Sequence, residues 1–198
     1  KLYSDGSFGS RTAAITFPYK DAPDARGQLM HAEGRLEAQV KRAREAGLQV
    51  AVHAIGDRAA RRVVDAFELA GVLPSDRARI EHLELVSDDD VRRAATLGVV
   101  ASVQPNFTGE WGHPGGMYEQ RLGWEKARRL NRFASYQAAG LPIAFGSDDM
   151  PLGPLNGIGC ALAAPEKEQR TSIDDALRAY TSGAAWAGFA EDEVGTLR

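Results

Sequence analysis

The sequence lacks several features that mark particular classes of protein. Its 198 residues include one cysteine, Cys160, which cannot form an internal disulfide and therefore agrees with a reducing compartment. No apolar run approaches the roughly 18 to 20 residues that a bilayer crossing needs, and residues 1–6 lack the apolar stretch of a signal peptide. We therefore expect a cytoplasmic protein with no membrane partner.

Positive charge is also not in excess. Lysine and arginine number 24 against 27 aspartate and glutamate residues, so the formal net charge is -3 and we expect no nucleic-acid partner. No G-x-G-x-x-G pattern follows a predicted strand, and no phosphate loop ending in Gly-Lys-Ser or Gly-Lys-Thr is present, which disfavours nucleotide-binding folds. The 43% hydrophobic content is typical of a globular protein that buries a core.

Short β-rich apolar runs alternate with longer amphipathic segments, the pattern of repeated strand-helix units with a parallel sheet. We predict strands at 48–52, 78–83, 99–103 and 141–145 with a stub at 2–3, helices at 35–46, 58–70, 88–97, 124–139 and 173–187, and a loop over 105–123. Two α/β architectures fit this order: an open doubly wound sheet and part of a (β/α)8 barrel. No linker or repeat divides the chain, so we expect one domain over residues 1–198.

Three of the predicted strands end in polar residues that a buried parallel strand does not need. These are His53, His82 and Asp148. Because the carboxyl ends of parallel strands share one edge, the three side chains should converge. Two neutral imidazoles and a carboxylate favour Zn²⁺ or a similar divalent ion, and Asp148 is then the candidate general base and acid.

Simpler interpretations stand beside this one. A single histidine at a strand end is more often a hydrogen-bonded structural residue than a ligand, and Asp148 lies in a sequence that also favours a turn. Its neighbour Asp149 is the candidate if the strand boundary shifts by one residue. His31 and His113 are expected to be solvated or structural.

The predicted 105–123 loop lies over the same edge of the sheet. Loops in this position often shape substrate pockets, which makes Asn106, Trp111 and Tyr118 candidate substrate-binding residues. The alternative is a surface flap whose aromatic side chains only cover the core.

Five segments together resemble one protein family. They lie at 1–13, 52–59, 79–84, 104–105 and 145–148, with the sequences KLYSDGSFGSRTA, VHAIGDRA, RIEHLE, QP and FGSD. In this order they resemble the YtcJ-like branch of the amidohydrolase superfamily (amidohydrolase family 3), whose relatives include N-substituted formamide deformylases.

The resemblance implies a (β/α)8 barrel with one or two divalent ions, usually zinc, that hydrolyses an amide or related C–N bond of a small molecule. By resemblance, Lys1 matches the lysine of barrel strand four, which is often carboxylated and bridges two metals. His53, His82 and Asp148 match the ligands of strands five, six and eight, and Asp148 also moves the proton.

The sequence departs from the family, whose barrel strands one to three and small β-sandwich built from both chain ends have no counterpart in it. The His-x-His pair of the family's first strand occurs nowhere in it, and the chain begins with Lys rather than Met. We therefore expect a piece of a longer protein that contains barrel strands four to eight. Because an open remnant exposes two sheet edges, we also expect a homo-oligomer if the piece folds alone.

Two other functions remain open. The missing pair motivates a non-catalytic barrel scaffold or regulatory protein. Metal-dependent phosphoester hydrolysis is less favoured, because no cluster of arginine or lysine accompanies the strand ends.

Overall fold

A single parallel sheet organises the chain. The computed structural model describes residues 1–150 and 153–197. The strands are β1 (Leu2–Tyr3), β2 (Ala51–Ala54), β3 (Arg79–His82), β4 (Val100–Val103) and β5 (Ile143–Phe145). Every neighbouring pair is parallel, and the order in the sheet is the order in the sequence.

This order decides between the two predicted architectures. Right-handed connections between successive neighbouring strands place all the connecting helices on one face of the sheet. A doubly wound sheet instead reverses its strand order at a switch point, and the described residues show no such reversal. The α/β prediction with a parallel sheet is therefore confirmed, and the sequential strand order disfavours the doubly wound form.

Ten α-helices are present in the described residues. They are α1 (Arg35–Glu45), α2 (Asp57–Leu69), α3 (Asp88–Thr96), α4 (Pro105–Trp111), α5 (Met117–Leu122), α6 (Trp124–Ala127), α7 (Phe133–Ala138), α8 (Pro154–Ala163), α9 (Ile173–Tyr180) and α10 (Ser182–Ala187). Short 3₁₀ turns lie at Pro74–Asp76 and Lys167–Gln169.

Local sequence explains several features of the first three helices. In α2 the buried positions Ala59, Ala60, Val63, Val64 and Phe67 recur at helical spacing and pack against the sheet. The Ser87 hydroxyl caps α3 by accepting the Asp90 backbone N–H at 3.1 Å. Gly47 and Gly98, with φ of +69° and +66°, turn the chain after α1 and α3.

Several predicted boundaries are wrong. The predicted loop over 105–123 contains α4 and α5; Pro105 stands in the first turn of α4, where a missing N–H is tolerated. The predicted helix over 124–139 is two helices, because Asn131 takes a left-handed φ of +52°. The predicted helix over 173–187 breaks at Thr181, and α8 was not predicted.

Two apolar clusters hold these elements together. The larger lies between the sheet and the helices. The smaller lies over the carboxyl ends of the strands and is built from the segments that follow them, with Phe8, Ile55, Leu85, Phe107 and Tyr118 among its members. No helix in residues 1–150 and 153–197 is long and apolar enough to cross a membrane.

Candidate functional site

His53, His82 and Asp148 lie together at the carboxyl edge of the sheet. His82 of β3 is in register with Ala54, the residue after His53, and a left-handed φ of +75° at His82 interrupts the strand alternation there. The His53 and His82 rings meet edge to face with centroids 4.5 Å apart. Asp148 follows β5, and its Oδ2 lies 3.9 Å from Nδ1 of His82. The predicted convergence of strand-end residues is therefore a feature of the structure, whereas their roles stay predictions.

The backbone at these strand ends is left-handed at non-glycine residues. His82 and Leu83 have φ of +75° and +45°, and Asp148 and Asp149 have φ of +45° and +63°. Such conformations cost on the order of 1–3 kcal/mol each and gather at functional sites. At β3 this bend is held by the buried Leu83, whose N–H donates to the Ala54 carbonyl at 3.0 Å.

In each histidine ring, one nitrogen lies within hydrogen-bond distance of an oxygen that can accept a hydrogen bond but cannot donate one. Nε2 of His53 lies 3.0 Å from the Gly6 carbonyl and 3.5 Å from Oδ1 of Asp5. Nδ1 of His82 lies 2.8 Å from Oε1 of Gln104. These nitrogens therefore carry the protons, which leaves lone pairs on His53 Nδ1 and His82 Nε2.

Burial keeps both imidazoles neutral. Desolvation lowers the pKa of His53 below its ordinary value. Desolvation, with a further contribution from the nearby His53, lowers the pKa of His82 to about 4. Two neutral rings with free lone pairs are suitable donors to a divalent metal ion.

Asp5 is a buried carboxyl group that sequence reasoning used only as part of a motif. Its oxygens accept backbone N–H groups from Ala14, Ile55 and Gly56 at 2.8 to 3.0 Å. Burial raises the pKa of Asp5 to about 6, although these hydrogen bonds oppose the rise. Asp5 follows β1, just as His53 and His82 lie at or near the carboxyl ends of β2 and β3, and this shared position was the signal that could have identified it.

Glu84 is a second buried carboxyl group that was missed. Burial raises the pKa of Glu84 to about 8, so the group is mostly neutral at pH 7. The Tyr118 hydroxyl lies beside it, but neither Glu84 Oε2 nor the hydroxyl forms a well-aligned hydrogen bond within the described residues. Its position two residues after His82 was the sequence feature that could have identified Glu84 as a residue of the site.

A cavity of about 380 Å³ opens beside these groups. Its polar lining includes Lys1, His53, His82, Glu84 and Asp148. The Lys1 ammonium lies 5.3 Å from the centroid of the Tyr3 ring. Lys1 therefore shares the cavity with the two histidines, while its predicted role as a metal ligand stays a prediction.

The three predicted substrate-binding residues take different positions. Trp111 and Tyr118 line the cavity. Asn106 does not; it is buried, and its Oδ1 accepts the Tyr180 hydroxyl at 3.3 Å. His113, predicted to be structural or solvated, is exposed and lies near the Pro114 carbonyl.

The donor types suit a metal ion, but they do not form a complete coordination site. In the described part of the chain, no group of three or more histidine, cysteine, aspartate or glutamate side chains is arranged to hold one. Asp148 approaches His82 on the Nδ1 side, which Gln104 already occupies. The chain therefore supplies two imidazole donors and a neighbouring carboxylate.

Comparison with known proteins gives a consistent family. A family profile described as the amidohydrolase family matches residues 1–198. The protein YtcJ of Bacillus subtilis (strain 168) is 29% identical over all of this chain and 39% of its own length. The N-substituted formamide deformylase of Arthrobacter pascens is 27% identical over 86% of this chain and 33% of its own length.

A solved structure is similar in fold as well as in sequence. The crystal structure of an uncharacterized metal-dependent hydrolase from Pyrococcus furiosus superimposes with a TM-score of 0.88 at 36% identity, over 99% of this chain and 41% of that one. The chain therefore spans about two fifths of the length of the relatives that it matches in full.

Proposed function

Because the chain belongs to the amidohydrolase family, we propose that the protein is a metal-dependent hydrolase that cleaves an amide or related C–N bond of a small molecule. Two relatives support this: one is named for deformylating N-substituted formamides, and the other is described as a metal-dependent hydrolase. The cavity of about 380 Å³ has the size of a small-molecule site.

The proposal includes the architecture. We assign β1 to β5 to strands four to eight of a (β/α)8 barrel. The sequential parallel order supports this assignment, as does the share of about two fifths that the chain takes of its relatives.

One observation carries the proposal: two buried, neutral imidazoles from neighbouring strands face each other, and each keeps a lone pair on the ring nitrogen that makes no protein hydrogen bond. A divalent metal bound there, most suitably zinc, would lower the pKa of a bound water and polarise the substrate carbonyl. Nδ1 of His53 and Nε2 of His82 would hold it. Asp148, which lies on the Nδ1 side of His82, would join them only after its side chain turned toward the metal. Lys1, if carboxylated, and residues elsewhere in the natural protein would complete the site.

The protein's own groups divide the remaining work. Asp148 has a side chain about half exposed, at 47%, so it can exchange protons with a water in the cavity. It would take a proton from the attacking water and return it to the leaving nitrogen. Gly6 and Gln104 would keep the two imidazoles in the correct tautomers during this transfer.

Metal content of the full natural protein tests the proposal. After reconstitution with Zn²⁺ and removal of free metal, we expect the wild type to retain metal and His53→Ala and His82→Ala to lose it. His113→Ala is the matched control, because His113 is exposed and does not line the cavity, and it should retain metal. A wild type without metal, or histidine variants with unchanged content, would contradict the proposal.

A non-catalytic role is the second candidate. The sequence has no His-x-His pair, and the described residues contain no complete group of metal donors. A full natural protein that also lacks such a pair and binds no zinc would support this alternative.

A further inference from the structure

A continuous row of aromatic rings forms one wall of the cavity. Phe107 and Trp111 lie one turn apart on α4 with ring centroids 4.6 Å apart. Trp111 meets Tyr118 of α5 edge to face at 6.0 Å, and Tyr118 meets Phe8 in the same way at 5.9 Å. All four residues line the cavity.

The row begins directly beside the proposed metal donors. The Phe107 ring is nearly parallel to the His82 imidazole, at 9°, with centroids 6.1 Å apart. The distance from a substrate carbonyl carbon at the histidines to the nearest ring of the wall, Phe107, is therefore about the width of one aromatic ring. A group packed against the wall must be joined to the amide directly or through one or two bonds.

Most of the wall is rigid, but one ring is partly free. Phe8, Phe107 and Tyr118 are at most 6% exposed, so their rings lose little freedom when a ligand binds. Trp111 is only partly buried although it packs against these buried neighbours.

Apolar side chains flank the wall, and Glu84 lies beside the Tyr118 hydroxyl. Ile55 and Met117 add aliphatic and thioether surface to the same cavity. A charged substituent placed against Phe107 and Trp111 would lose its hydration, whereas a flat ring would gain edge-to-face or stacked contacts.

Building on the proposed function, we infer that the preferred substrates are amides that carry an aryl group within two bonds of the scissile bond. Trp111 is the specificity-determining residue, because its partly free indole receives that ring.

Ligand binding to the metal-free full natural protein tests this inference separately from hydrolysis. Dissociation constants are measured by ligand-observed NMR titration for acetanilide and N-cyclohexylacetamide, which differ in the flatness of the ring. We expect acetanilide to bind roughly three- to tenfold more tightly, the range that aromatic pairing supplies. Trp111→Ala should remove this preference, and Trp111→Phe should keep part of it.

Trp124→Ala is the matched control. Trp124 is also partly buried but does not line the cavity, so its removal should leave the preference unchanged. Equal affinities for the two amides, or an undiminished preference in a folded Trp111→Ala protein, would overturn the inference.

The two proposals fail in different ways. A protein that prefers acetanilide but binds no metal would support the aryl site and contradict the hydrolase proposal. A zinc-dependent amide hydrolase that binds both amides equally would contradict only the inference of an aryl site.

Discussion

Gln104 contacts His82 from outside the cavity. Its Oε1 binds the imidazole Nδ1, and its own Nε2 lies 3.4 Å from the Ser102 carbonyl, which fixes the orientation of the amide. The sequence showed Gln104 only as part of a Gln-Pro motif. Its contact with His82 depends on the register of β3 and β4, which local sequence does not determine.

Replacing Gln104 with leucine should let His82 exchange between its two neutral tautomers. The variant removes the acceptor at Nδ1, so we expect the ¹⁵N shifts of His82 to change from one tautomer to a mixture, with zinc affinity falling roughly 10- to 100-fold. Gln104→Glu keeps an oxygen acceptor and should keep the Nδ1–H tautomer. Unchanged His82 shifts in Gln104→Leu would show that Gln104 does not set the tautomer.

Glu84 should make stability depend on pH in the metal-free protein. Its pKa rises from an ordinary 4.5 to about 8 on folding, so its stabilising contribution is complete below about pH 4.5 and is lost as pH rises through about 8. The urea midpoint of the wild type should therefore fall more between pH 5 and pH 9 than that of Glu84→Gln.

Glu168→Gln, which changes an exposed glutamate, provides the control for Glu84 and should follow the wild type. Parallel pH profiles for the wild type and Glu84→Gln would mean that Glu84 does not titrate in this way.

At the scale of elements, the parts read correctly from sequence are those with strong local signals. The α2 stripe and the glycines after α1 and α3 act through contacts within a few residues. The prediction of a loop over 105–123 was wrong because the glycines and prolines of this segment favour turns. In the structure the segment contains α4 and α5, and Phe107 and Tyr118 on these helices pack into the cluster over the strand ends. Tertiary contacts decide such segments, and a single sequence does not display them.

The cap of α3 gives a prediction at this scale. Ser87→Ala removes the acceptor for the Asp90 N–H and should lower the free energy of unfolding by about 1 kcal/mol, measured by urea denaturation. Ser75→Ala changes an exposed serine within a 3₁₀ turn and should have a smaller effect. An equal loss in both variants would refute the capping role.

Across the whole molecule, the sheet ends in two edges. β1 and β5 each pair with one strand in the described residues, so each retains an unpaired side. Unpaired parallel edges favour further strand pairing, and a closed barrel removes them entirely. We propose that the full natural protein supplies the strands that join these edges, and that a second copy of the chain can take their place when residues 1–198 are produced alone.

The position of a bound metal tests the central claim most directly. In crystals of the full natural protein grown with Zn²⁺, anomalous diffraction at the zinc edge should show a peak about 2.0 to 2.1 Å from both His53 Nδ1 and His82 Nε2. A fully reconstituted protein with no peak between these nitrogens, or with its zinc bound elsewhere, would contradict the account.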